Sequence, residues 1–247
     1  MQTINSNRTS AITLSTIFII FGCSNPAFGQ FESTARMLTM TIMPATSSLA
    51  TAQTSVIQQR KSMAIAAGVW PAGTAPSGSP AGPQQKQGLA SKYDISATDF
   101  LPVSEPIMPD QLANSATGVD PQTRETMRKL YLQALNSFEA EARKNNMANA
   151  FAFATAIALQ IKTGKNLTET QADQLVIYFN NVLGGTPAFY TTGPRQQQLL
   201  YESLIITGNL IALLDSQGKQ ANNQQMRTQA MDMSQAVIKQ FLGFDAK

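Results

Sequence analysis

Carboxylates are the residues of this chain best placed to do chemistry. There is no histidine, and the single cysteine is Cys23. That excludes a Ser-His-Asp relay, a Cys-His pair, a His/Cys zinc site, a haem held by His or Cys, and a disulfide framework. A muramidase-like hydrolase needs only two acids at a suitable separation. The candidates are Asp99, Glu139, Glu141 and Glu202. Glu139 and Glu141 lie two apart, so on a helix they do not face each other. Nothing in the sequence positions a second acid opposite Glu202, and no Asp-rich loop suits a hard cation.

The other polar residues of interest sit beside apolar sequence. Asn145, Asn146 and Asn149 cluster where two helices should meet. A buried amide must be hydrogen-bonded, so these residues are expected to cap or cross-link the junction, with a grip on a ligand as the alternative. Tyr201-Glu202 falls in a largely apolar helix, and Glu202 is expected to pair with Arg143 or Lys144. Met226, Met231 and Met233 suit core packing, with thioether binding of copper(I) as the alternative. Asn166-Leu167-Thr168 matches a glycosylation sequon, but Thr168 is better explained as a helix cap. No catalytic, cofactor-binding or metal-ligating residue emerges, and no cofactor is implied.

The elements that position these residues follow from periodicity and breakers. Asp120-Pro121 is an N-cap followed by proline at the first helical position. The helix it opens runs to about Lys144, with Met127, Leu130, Tyr131, Ala134, Leu135, Phe138 and Ala142 on one face. Glu125-Lys129 and Glu139-Arg143 are i,i+4 pairs on the wet face. Met147 to Thr163 is apolar nearly all round, which places it at the centre of a bundle, and Gly164 is a good stop. Thr168 to Gln171 is a capping box for a helix ended by Gly184-Gly185. Thr186 to Thr192 is a connector anchored by Phe189 and Tyr190. Gly193-Pro194 opens a long helix to about Gln217, ended by Gly218, in which Gly208 marks a close helix contact. The last helix spans about Ala221 to Leu242.

Ahead of these helices, Tyr93 to Met108 is expected to be an extended strap. Pro102, Pro106 and Pro109 oppose regular structure there, and Tyr93, Phe100 and Leu101 are its anchors. Residues 68–92 form a Pro/Gly-rich linker. Residues 30–67 form an amphipathic or loosely ordered arm. Residues 1–29 resemble a signal peptide: Arg8, an apolar run from Ala11 to Gly22, and Ala27-Phe28-Gly29 as a cleavage site leaving Gln30. A lipoprotein anchored through Cys23 is the alternative, opposed by bulky Phe21. No later stretch reads as a transmembrane helix.

The fold class is all-α: an antiparallel bundle of about five helices over 93–247, preceded by strap, linker and leader. Charged residues make up 13% of the 247 residues and the formal net charge is +3. The excess of Lys and Arg lies ahead of Tyr93, sparsely spread, so the folded part carries no basic patch. Nucleic acid is excluded as a partner on that ground.

Several stretches resemble a bacterial family known as domain of unknown function 6683. They are Ala97-Thr98-Asp99-Phe100, Phe138 through Ala150, Gly164, Pro187-Ala188-Phe189, and Gln198 to Glu202 with Gly208. The resemblance covers about Tyr93 to Phe244. It implies exported helical bacterial proteins and supplies no activity. Together these readings favour a non-enzymatic exported module whose partner is a protein or another envelope component. A carrier of an apolar ligand in the bundle core and a carboxylate-dependent hydrolase are the alternatives.

Overall fold

The structure is a computed structural model and describes residues 89–116 and 118–243. The leader, the arm and most of the linker lie outside the described residues. The helices are α1 (Met108–Ser115), α2 (Pro121–Glu141), α3 (Met147–Thr163), α4 (Glu169–Gly184), α5 (Pro187–Thr191), α6 (Pro194–Gln220) and α7 (Gln224–Leu242). A 3-10 turn spans Ile95–Thr98, and among the described residues there is no strand, only an isolated bridge between Asp99 and Asn146. The chain is all-α.

The starts and stops obey local chemistry. Asp120 accepts from the backbone N–H of Thr123 ahead of Pro121. Asn146 does the same for Asn149 at the start of α3, and Thr168 with Gln171 forms a full capping box before α4. Gly164 closes α3 at φ +67°, a left-handed conformation that glycine adopts without a side-chain clash.

Helix α3 is the axis of the molecule. Every residue from Met147 to Leu159 is buried, and α4, α6 and α7 all pack on it. Its register against α6 is constant: Asn145 meets Tyr201, Phe153 meets Gly208, and Ile157 and Ile161 share a surface with Ala212 and Ser216. Helices α3 and α6 therefore run parallel. The chain returns through α4, so α6 starts at the end where α3 starts. Alanines and Gly208 permit the close approach. A Cβ on Gly208 would lie 2.7 Å from the Phe153 ring and 3.4 Å from the Ala154 Cα. Helix α2 leaves this layer and packs on α1 and α6.

By length and mean hydropathy (1.3), α6 passes for a membrane span, but 72% of that window is buried inside the bundle. It is a core helix in this fold.

Expectations about the strap, its anchors and the end of α6 need correction: Tyr93, and Tyr190 on α5, are exposed rather than anchoring. Pro109 does not prevent regular structure: it stands in the first turn of α1, where a missing N–H costs nothing. Leu101 is no anchor, being 84% exposed, although Phe100 is buried as expected. Gly218 does not end α6, which continues to Gln220. It lies buried inside the helix because a Cβ there would be 2.7 Å from Arg227 at the start of α7.

Candidate functional site: a polar clasp on the N-terminal strap

The candidate residues gather at one end of the bundle, where α3 and α6 begin and α4 ends. Asn146 is the hub. Its Nδ2 donates to Ile95 O (2.8 Å), Thr98 Oγ1 (3.1 Å) and Asp99 Oδ1 (2.7 Å). Its Oδ1 accepts from the backbone N and the Nδ2 of Asn149, both at 3.0 Å. One amide thus caps α3 and pins the strap at the same time. Asn145, with φ 53°, offers its carbonyl to the N–H of Phe100 at 2.9 Å. The Asn145 N–H donates to Tyr201 Oη at 3.2 Å, and that hydroxyl donates to Glu139 Oε1 at 3.3 Å. The Tyr201 ring meets Phe100 edge-on, centroids 5.2 Å apart. Burial, with Glu139 beside it, pushes the Tyr201 phenol well above its ordinary range, so it stays a neutral donor.

Glu202 is buried and fully engaged. Its Oε2 accepts from the N–H groups of Ile107 (2.8 Å) and Met108 (2.7 Å), and its Oε1 accepts from Gln198 Nε2 (2.7 Å). The carboxylate thereby caps the N-terminus of α1, where the backbone dipoles favour negative charge. Burial raises its pKa, and the bonds from Met108, Gln198 and Ile107 oppose that rise. Gln198 extends the grip, accepting from Val103 N (2.8 Å) and donating to the carbonyls of Ser104 (3.1 Å) and Glu105 (3.2 Å).

Glu202 pairs with neither Arg143 nor Lys144, contrary to expectation. Arg143 forks onto Asp99 at 2.5–3.1 Å, and Lys144 lies 3.6 Å from Glu139. The anticipated Glu139–Arg143 pair is absent for the same reason: α2 stops at Glu141, so Arg143 leaves the helical surface and reaches the strap. Hydrogen bonding to Asp99 raises the Arg143 pKa further.

The sequence pointed to five residues here and missed others. Asn180 is buried in the apolar stripe of α4. It accepts from Thr98 Oγ1 (3.0 Å) and donates to the carbonyls of Tyr93 (3.0 Å) and Asp94 (3.1 Å). Asn181 accepts from Lys92 N (2.7 Å) and donates to Ala90 O (2.9 Å), while Leu89 N donates to Gln174 Oε1. The readable signals were a polar residue within an apolar stripe and the i,i+4 spacing of Gln198 and Glu202.

The arrangement is a clasp. Side chains from α3, α4 and α6 hold the backbone of residues 89–108 at successive donors and acceptors. Its chemistry is retention. The candidate acids Asp99, Glu139 and Glu202 are each bonded within it, and among the described residues no group of three acids forms a metal-holding arrangement. Neither a curated protein nor a solved structure matches the chain. A model of a family of unknown function, DUF6683, matches residues 8–247. That match spans strap, clasp and bundle together, and the chain belongs to the DUF6683 family.

Proposed function

We propose that this protein is a non-enzymatic helical interaction module, exported to the cell envelope or beyond, that presents its strap to a partner there. One observation carries the reading. Among the described residues the exposed large apolar side chains are Tyr93, Leu101, Val103, Tyr190 and Met231, and all but Met231 lie on the strap or the adjoining α5 turn. Contacts tie these to one end of the bundle: Tyr190 Oη reaches Ala97 O (3.4 Å), and Gln197 holds Phe189 O (2.9 Å) beside Gln198, which holds Val103. Grouped apolar side chains on a rigidly clasped segment suit recognition by a protein. The buried state of Glu202 argues against its use as a hydrolytic acid. The leader-like residues ahead of Gln30 support export, and the sparse basic charge offers nothing to nucleic acid.

Photo-crosslinkers placed at 101, 190 and 231 in the native host test this reading. Crosslinks from 101 and 190 to one envelope component, none from 231, and a mature N-terminus at Gln30 are expected. Equal labelling from 231, or a cytoplasmic protein retaining Met1, would overturn it.

A further inference from the structure

The far end of the bundle, away from the clasp, holds a cleft of about 260 Å³ between the last turns of α3 and α6. Ile157, Ile161 and Ala212 contribute apolar lining, and Asn166, Asp215 and Lys219 contribute polar groups. The parallel run of α3 and α6 brings two helix C-termini to this place, so the backbone dipoles favour positive charge there.

The two ionised side chains are held unequally. Asp215 is 14% exposed and Lys219 61%, with Nζ 2.6 Å from Oδ2. The anion is therefore part of the wall, whereas the cation hangs over it on a flexible stem. Lys219 is mostly exposed, so its ammonium can leave Asp215 for water while the carboxylate stays in the wall. An opened bridge presents a set anion, a movable cation and apolar surface beside both.

We propose that this cleft binds a free aliphatic α-amino acid as its zwitterion. The ammonium takes the place of Lys219 on Asp215, the carboxylate is met by the displaced Lys219, and the aliphatic side chain lies against Ile157, Ile161 and Ala212. A ligand amine alone would leave Lys219 without its counter-charge, and a carboxylate alone would compete with Asp215 for it. Among charged ligands, the zwitterion alone opens the bridge and keeps every charge matched. The volume suits one amino acid, being below the roughly 300–1,000 Å³ of sites for drug-sized ligands. The site is separate from the strap and does not rest on the partner reading above.

Titration of the full chain with L-leucine tests the proposal, read on the Ile157 and Ile161 methyl resonances by NMR. 3-Methylbutylamine and 4-methylpentanoate serve as half-ligands. Saturable leucine shifts with millimolar or tighter affinity are expected, with about tenfold or weaker binding of either half. Asp215→Asn and Lys219→Met should each weaken leucine binding by about tenfold. Unmoved methyls, half-ligands that bind as well as leucine, or a folded Lys219→Met variant that binds unchanged would overturn it.

Discussion

Asn146 shows how much one side chain can carry. A carboxamide has two donors and an acceptor, and here the acceptor starts a helix while the donors hold a separate segment. Truncating it removes a cap and leaves Ile95 O, Thr98 Oγ1, Asp99 Oδ1 and Asn149 each short of a partner. Asn146→Ala should cost about 2–4 kcal/mol, read from urea unfolding. Asn146→Asp should not rescue it, because a carboxylate keeps the acceptor, loses the donors and faces Asp99. Glu202 makes a different claim. Its folded pKa is raised by burial above the ordinary 4.5, so the fold binds a proton there more tightly than the unfolded chain does. Its contribution to stability is fully present below the unfolded pKa and is lost as pH rises through the folded one. The urea midpoint of the wild type minus that of Glu202→Gln should therefore decline over this window. A difference that stays constant or grows with pH would contradict the assignment.

Among the elements, the α3–α6 contact is the most exacting. Gly208→Ala would ordinarily gain up to about 1 kcal/mol of helix propensity. Here the added methyl meets the Phe153 ring and the α3 backbone, and overpacking costs about 1–3 kcal/mol. A net loss in thermal midpoint is expected, and a gain would show that the helices can separate freely. The sequence revealed this close contact, the all-round apolar character of α3, and the caps at Asp120, Thr168 and Gly164. Each is a local signal of a few residues. It did not reveal α1, because a proline that opens a helix and one that forbids it differ only in what precedes and follows. Nor did it reveal the buried Gly218 or the Arg143–Asp99 fork. Those depend on α7 and the strap arriving from elsewhere in the chain, and no local pattern records an arrival.

Over the described residues the chain is a helical bundle with a strip, largely outside the α-helices, bonded along one side and across one end. That strip should behave as part of the cooperative unit. Hydrogen exchange of the Phe100, Val103, Ile107 and Met108 amides, none of them inside a helix beyond its first residue, should be slowed toward the rate of the α3 core. Exchange at the rate of an open loop would show that the clasp does not hold in solution. The asparagines of the clasp were visible in the sequence as a cluster. Their targets on the strap were not: they include backbone groups of Ile95 and Phe100, and backbone carries no signature of its own. The same property has a further consequence. A grip that reads carbonyls and amides is indifferent to the outward side chains, so Val103 can be exchanged for another residue with a backbone N–H without loosening the hold of Gln198 on its main chain. The bundle is in this sense a mount: what it displays can diversify while the means of display stays unchanged.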